Sequence, residues 1–211
     1  MAEVEIIGAA LSNYVWVCRI ACEEKGVPYK LTSVMPHAPE ANAIHPLGKI
    51  PAMRHGEVTL CESRAICSYI DHSFDGPPLT PRDPVAAAKV EQWISIVNTA
   101  FDPVAVRQYL GGYFFSGLPD GAPDRKRIEG ALEKMETQIG VLDQAVAETG
   151  HLVGKDFTLA DMNVIPILYY LQELPESIRM LGKAKSLKAY IERHMTRKSV
   201  IATTPPPPPK K

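Results

Sequence analysis

The spacing of hydrophobic residues changes along the chain and divides the sequence into two parts. In the first part, short alternating runs are followed by stretches in which apolar residues recur every three or four positions. The predicted strands cover residues 4–7, 29–34, 52–54 and 58–61, and the predicted helices cover residues 13–26 and 63–74. The turn signal His55-Gly56 makes the last two strands an antiparallel hairpin. This order, β-α-β followed by β-β-α, predicts a small α/β domain.

The second part of the chain has helical spacing throughout. Apolar side chains in residues 86–104 and 128–146 recur at steps of three and four. A third helix is predicted to begin at Thr158, because Thr158 and Asp161 have the spacing of a capping box with Asp in place of the usual Glu. A fourth helix is predicted over residues 185–196. We therefore expect an all-α helical bundle here.

A proline-rich stretch separates the two parts. Residues 74–84 hold four prolines and one glycine in eleven positions, a composition that neither a helix nor the interior of a sheet tolerates. We expect an N-terminal domain over residues 1–75, a linker over 76–84 and a helical domain over 85–200. The tail, residues 201–211, contains five successive prolines and is expected to be disordered, with a solvated polyproline II conformation.

Composition and charge narrow the class of protein. Of the 211 residues, 45% are hydrophobic and 22% are charged, and the formal net charge is −1, as in globular proteins with a core. A charge near zero argues against nucleic acid as the main partner. No run of about 18 apolar residues predicts a membrane span, and the first residues are acidic where a secretion signal is basic. We therefore expect a cytoplasmic protein that does not bind a membrane.

The four cysteines, Cys18, Cys22, Cys61 and Cys67, are expected to be reduced thiols in the core. A zinc site is disfavoured, because no Cys-x-x-Cys or His-x-x-x-His motif accompanies them.

Three positions could carry chemistry. Ser12 precedes the first predicted helix, where a serine commonly caps the helix and where its hydroxyl could also stabilise an anion such as a thiolate. Pro51 directly precedes a strand, and a cis bond there would turn the Ile50 backbone outward to pair with an extended peptide. Ser63 opens another helix, which either binds a carboxylate or simply begins there.

Together these positions resemble the cytosolic glutathione transferases, over residues 3–200 and with motifs similar to the serine-type phi and tau classes. The segments that carry the resemblance are Ser12-Asn13-Tyr14, Arg19-Ile20-Ala21, Glu24 to Tyr29, His45 to Pro51, Glu62 to Ile66, the proline-rich linker and Phe157 to Asp161. The resemblance implies a thioredoxin-like N-terminal domain that binds glutathione, a helical domain that binds an apolar electrophile, and a homodimer. Glutathione is implied as a co-substrate, with no metal and no permanently bound cofactor.

The resemblance also implies roles for residues that bind glutathione. Lys49 would contact its glycyl carboxylate, and His37 lies near the place where some classes have another basic contact. Ile50-Pro51 would present the Ile50 backbone to the cysteinyl unit, next to the family's cis-proline. Glu62 would bind the ammonium of the γ-glutamyl group, and Ser63 its carboxylate.

For the thiol and the electrophile, alternatives stay open. Ser12 matches the hydroxyl that donates a hydrogen bond to the glutathione thiolate, and Tyr14 is the alternative donor. Tyr109 and Tyr113 either line an apolar pocket for the electrophile or pack in the core or at a dimer interface.

Three functions fit the residues. The resemblance points first to conjugation of glutathione to apolar electrophiles, in the service of detoxification. A glutathione-dependent peroxidase or isomerase could use the same site, and a non-catalytic binding or regulatory module is the third possibility. Retention of the motif residues argues against the module, and the absence of Cys at position 12 disfavours a thiol transferase that forms a mixed disulfide there.

Overall fold

The computed structural model describes residues 3–206, which form two compact units. The first unit contains the N-terminal part of the chain up to Pro81 together with the segment from Arg197 onward, and the second unit runs from Arg82 to Thr196. Within residues 3–206, no helix is long and apolar enough to cross a membrane.

The first unit is built on a four-stranded mixed sheet. Its elements up to Pro81 are β1 (Val4–Ile7), α1 (Asn13–Lys25), β2 (Tyr29–Thr32), α2 (Pro39–Asn42), β3 (Ala52–His55), β4 (Val58–Cys61) and α3 (Ser63–Ser73). The strand order is β2-β1-β3-β4, in which β1 pairs parallel to β2 and antiparallel to β3, and β3 and β4 form the predicted hairpin. The α/β, thioredoxin-like fold predicted from the sequence is confirmed.

Helix α1 forms much of the core of this unit. Its side chains Trp16 and Ile20 are fully buried, as are Ile66 and Ile70 of α3. The helix ends as its sequence indicates, because Gly26 adopts the left-handed conformation at φ 65° and its amide caps the last turn. Packing of α1 and α3 against the sheet fixes where the first turns of both helices lie.

The second unit consists of helices. They are α4 (Pro84–Ile96), a π-helical segment (Val97–Leu110), α5 (Gly111–Phe114), α6 (Arg125–Val146), α7 (Leu159–Leu171), α8 (Pro175–Lys183) and α9 (Lys185–Met195). Almost every residue of α7 is buried, so that this helix lies at the centre of the bundle. The predicted all-helical fold is confirmed, and so is the capping box of Thr158 and Asp161.

The π-helical segment was not predicted by the spacing of apolar residues. Pro103 lies inside it and has no amide to donate, so that an α-helical hydrogen bond is impossible at this position. The wider register brings residues five positions apart onto one face, where Arg107 Nε donates a 2.8 Å hydrogen bond to Asp102 Oδ2. Pro103 and this ion pair both lie within the π-helical segment.

The last helix, α10 (Lys198–Thr203), belongs to the first unit. Arg197 donates two hydrogen bonds of 2.6 and 2.7 Å to the carboxylate of Glu24 at the end of α1. The sequence instead predicted a helical domain up to residue 200 and a disordered tail from residue 201. Residues 201–203 are helical, because they pack on α1. Pro205 is buried, although it was predicted to lie in the solvated tail. The part of the predicted tail from residue 207 onward lies outside the described residues.

Candidate active site

Ser12 caps the N-terminus of α1. Its backbone is extended, with φ −72° and ψ 125°, and its Oγ accepts a 3.4 Å hydrogen bond from the amide of Val15. Because the oxygen acts as the acceptor in this bond, the hydroxyl proton remains available for a ligand. Capping and anion binding are therefore compatible at Ser12. Tyr14, the alternative donor, lies in the first turn of the same helix and is half-buried.

Gly8 brings the end of β1 close to Ser12's helix and to Ile50. A Cβ atom at this position would lie 2.5 Å from Cγ2 of Val15 and 3.0 Å from Cβ of Ile50. Only glycine allows this approach, and its φ of 150° is also one that other residues rarely adopt. The glycine directly after β1 is the sequence signal for this junction, which was not predicted.

The Ile50–Pro51 peptide bond is cis, as the resemblance implied. Pro51 is buried and leads directly into β3. Among residues 3–206, none makes a hydrogen bond to the amide or carbonyl of Ile50. This backbone can therefore pair with an extended ligand, as an added strand would.

His37 and Lys49 are exposed, and they lie on either side of α2 along the chain, near Gly48. The amide of His37 donates a 2.7 Å hydrogen bond to the carbonyl of Gly48, and Asn42 Nδ2 donates one of 2.8 Å to the carbonyl of His37. Gly48 has a φ of 61°, and a side chain there would collide with His37 and Asn42. The backbone of His37 therefore lies next to Gly48, the residue that precedes Lys49 in the sequence.

Glu62 and Ser63 lie at the start of α3. Glu62 is the residue before the helix and has a φ of 70°, which is unusual for a residue other than glycine. Its side chain is 70% exposed, and its Oε1 lies 3.3 Å from Nε2 of the buried His45. Ser63 is buried at the first position of the helix. The geometry offers a carboxylate for a cation next to a helix N-terminus for an anion. His45 lies in the motif His45 to Pro51, but its contact with Glu62 was not predicted from the sequence.

The predicted glutathione residues of the first unit therefore lie at helix starts and in the loops between elements. Helices α1 and α3 also contact each other, since the Sγ atom of Cys18 lies 3.9 Å from the backbone carbonyl oxygen of Ser63.

Tyr109 is fully buried within the helical unit. Its hydroxyl donates a 3.0 Å hydrogen bond to Oε2 of Glu176 and accepts a 3.2 Å bond from the amide of Ser177. Burial and the neighbouring carboxylate raise the pKa of this phenol. Its position matches the packing alternative of the sequence analysis rather than a pocket lining.

Tyr113 is half-buried and shares the same carboxylate. Its hydroxyl donates a 2.6 Å hydrogen bond to Glu176 Oε2 and accepts one of 3.1 Å from Arg125. Burial alone would raise the pKa of Glu176, but hydrogen bonds from Tyr113 and Arg125 outweigh it and lower this pKa to about 2. The ionised carboxylate therefore holds both tyrosine hydroxyls in place.

A group of two histidines and one aspartate in the helical unit has the residue types of a metal site. The ligand atoms of His151, Asp161 and His194 lie within 4.8 Å of one another. The Asp161 oxygens, however, accept hydrogen bonds from Leu152 N, Tyr190 Oη, Thr158 N and Thr158 Oγ1. Four donors occupy the roughly four lone-pair sites of a carboxylate, so that this group fits a structural role.

Two family models match the chain. The model of the glutathione S-transferase N-terminal domain matches residues 6–78, and that of the glutathione S-transferase C-terminal domain matches residues 103–198. Glutathione S-transferase 3 of Zea mays is 34% identical over 178 residues, which are 77% of this chain and 76% of that protein.

Solved structures are similar over nearly the whole chain. Glutathione S-transferase III in its apo form has a TM-score of 0.85 at 30% identity, covering 99% of this chain and 100% of that one. Glutathione S-transferase I from maize, solved in complex with an atrazine glutathione conjugate, has a TM-score of 0.83 at 27% identity, with 96% of each chain covered.

Proposed function

The chain belongs to the glutathione S-transferase family, and from that premise we propose that it conjugates the thiolate of glutathione to small apolar electrophiles. The observation that carries the proposal is the Ser12 hydroxyl, which caps α1 through its oxygen and keeps its proton for a ligand. The atrazine glutathione conjugate held by the maize relative supports conjugation as the reaction.

Ser12 would act on the thiol of glutathione. A cysteine thiol has an unperturbed pKa of about 8.5, so that only a minor fraction is ionised at neutral pH. A hydrogen bond from the Ser12 hydroxyl and the positive end of the α1 dipole favour the thiolate. The thiol proton passes to solvent, the sulfur forms a bond to the electrophilic carbon, and the leaving group departs with the electron pair.

The remaining predicted residues would hold glutathione in the extended form that this reaction needs. The Ile50 backbone pairs with the cysteinyl unit, because no residue in the range 3–206 makes a hydrogen bond to its amide or carbonyl. Lys49 and His37 bind the glycyl carboxylate, while Glu62 and Ser63 bind the two charged groups of the γ-glutamyl end. Positioning the sulfur next to a bound acceptor supplies much of the rate.

In the helical unit, Tyr113 is the better candidate for contact with the electrophile. Its ring is half-buried and its hydroxyl is fixed by Glu176, whereas Tyr109 is fully buried. We also propose that the enzyme acts as a cytoplasmic homodimer, as the resemblance implies, and that glutathione enters and leaves in each turnover with no permanently bound cofactor.

Two measurements test the proposal. Calorimetry should detect glutathione binding at millimolar concentrations or below, and the absence of binding would favour a non-catalytic module. Turnover should then be measured with a halogenated aromatic compound and with an organic hydroperoxide. Faster turnover of the halogenated aromatic is expected, whereas a clear preference for the hydroperoxide would indicate a peroxidase.

A further inference from the structure

The buried side chain of His45 contacts the carboxylate of Glu62. His45 follows α2, where its amide donates a 2.8 Å hydrogen bond to the carbonyl of Ala41. Only 3% of its side chain is exposed, and its Nε2 lies 3.3 Å from Oε1 of Glu62. The two residues thus connect the loop before β3 to the start of α3.

The hydrogen bonds of the ring determine which nitrogen carries its proton. The amide of Leu47 donates a 3.0 Å hydrogen bond to Nδ1 of His45, so that Nδ1 is an acceptor and has no proton. A neutral imidazole then carries its proton on Nε2. The donor side of the ring therefore faces Glu62.

The rest of the Glu62 side chain is exposed. Within residues 3–206, His45 provides the only polar contact to this carboxylate, and 70% of the side chain remains exposed. A glutamate side chain has several rotamers, and ordering it at the moment of binding costs free energy. A contact that orders the side chain beforehand removes that cost.

We propose that His45 is a positioning residue, which holds the Glu62 carboxylate where it receives the ammonium of the γ-glutamyl group of glutathione. This inference rests on the proposed function, in which Glu62 binds that ammonium. His45 does not touch the ligand and acts only through Glu62.

The variant His45→Asn separates this role from the folding of the loop. The shorter side chain still offers an oxygen to the amide of Leu47, as in an Asx turn, but it does not reach Glu62. His72→Asn is the matched control, because His72 is exposed near the end of α3. Thermal unfolding of both variants checks that the fold is kept.

The dissociation constants of two ligands give the decisive comparison. The first ligand is glutathione, and the second is glutaryl-cysteinyl-glycine, which keeps every group of glutathione except the α-ammonium. His45→Asn should weaken binding of glutathione by about 2- to 12-fold, the cost of ordering one long side chain. It should leave binding of the glutaryl compound unchanged. Glu62→Gln should abolish the preference of the enzyme for glutathione over the glutaryl compound.

The outcomes distinguish this inference from the proposed function. If the wild type binds neither ligand at millimolar concentrations, both are overturned. If Glu62→Gln behaves as expected but His45→Asn weakens both ligands equally, or neither, only the role of His45 is overturned. A purely structural role would affect both ligands alike, because it would disturb the loop that also carries Lys49.

Discussion

Trp16 Nε1 donates a 2.7 Å hydrogen bond to Thr203 Oγ1, across 187 positions of the chain. Both groups are buried, Trp16 on α1 and Thr203 on α10. The bond attaches the C-terminal helix to the unit that carries Ser12. The stability of the glutathione-binding unit should therefore depend on residues that follow the helical domain in the sequence.

Replacing Trp16 by Phe should lower the free energy of unfolding by about 1 to 3 kcal/mol, because the variant removes a buried donor and leaves unfilled space. Thr203→Val should cost a similar amount, since it removes the hydroxyl that accepts this buried hydrogen bond. Urea denaturation measures both. Thr204→Val is the control, since this exposed residue should change stability by less than about 0.5 kcal/mol. If the double variant Trp16→Phe/Thr203→Val loses as much free energy of unfolding as the two single variants together, the two residues do not interact.

Ser12→Ala should lower the turnover number by about 10- to 1000-fold, the effect of losing a hydrogen bond to a developing or stable anion. The same change removes the helix cap and should cost about 0.5 to 2 kcal/mol of stability. Steady-state kinetics with glutathione and a halogenated aromatic compound measure the first effect, and urea denaturation measures the second.

Ser12→Gly separates the two effects. Glycine is a good capping residue, so that stability should fall by only a few tenths of a kcal/mol while turnover falls as far as in Ser12→Ala. Tyr14→Phe should retain nearly full turnover. If Tyr14→Phe lost activity and Ser12→Ala kept it, Tyr14 would be the thiolate donor instead.

Local signals in the sequence predicted the parts of the structure that neighbouring residues determine. The capping box of Thr158 and Asp161 and the left-handed Gly26 follow from side-chain and backbone chemistry within a few positions. The contact of His45 with Glu62 was not predictable in this way, and neither was the choice between core packing and a pocket lining for Tyr109. Both depend on residues that are far apart in the sequence and that only the folded chain brings together.

Glu176→Gln should destabilise the helical unit by about 1.5 to 3 kcal/mol, because the carboxylate accepts hydrogen bonds from Tyr109, Tyr113 and Arg125 on its two oxygens, and an amide has an NH2 donor in place of one of them. Urea denaturation at neutral pH measures this loss. Glu173→Gln, an exposed neighbour, should change stability little.

The stabilisation from Glu176 should also depend on pH. Its pKa is about 2 in the folded state and 4.5 as a free side chain. The ionised carboxylate therefore makes its full contribution to the free energy of unfolding above pH 4.5, and this contribution is lost as the pH falls toward 2. The variant Glu176→Gln should show a flatter decline of stability over that interval. Equal slopes for variant and wild type would contradict this role.

His194 should make the helical unit sensitive to mild acid. Burial lowers the pKa of this imidazole, as do the nearby charges of His151 and Arg193. The carbonyl of Gly150 and the carboxylate of Asp161 raise the pKa, but their effect is smaller. The unfolded chain then binds a proton at a higher pH than the folded chain. The free energy of unfolding has its full value above the pKa of His194 in the unfolded chain, about 6.5. It falls as the pH drops toward the lower pKa of the folded chain.

Unfolding free energies measured between pH 7.5 and 5 test this expectation. His194→Phe keeps a ring against Tyr190 but cannot bind a proton, so that its stability should fall less steeply with acid than that of the wild type. His72→Gln, an exposed control, should follow the wild type. Parallel curves for His194→Phe and the wild type would assign the acid sensitivity to other groups.

The four cysteine thiols should differ in their reaction with a disulfide reagent such as 5,5′-dithiobis(2-nitrobenzoate). Cys18, Cys22 and Cys67 are buried, and burial raises the pKa of the first two, whereas Cys61 is partly exposed at the end of β4. In the native state one thiol should react first, and the other three should react only when the protein opens. Cys61→Ser should therefore lose the fast phase and keep its fold. The Sγ atoms of Cys67 and Cys18 lie 4.0 Å apart at the interface between α1 and α3. A fast phase that persisted in Cys61→Ser would mean that this interface opens readily in the native protein.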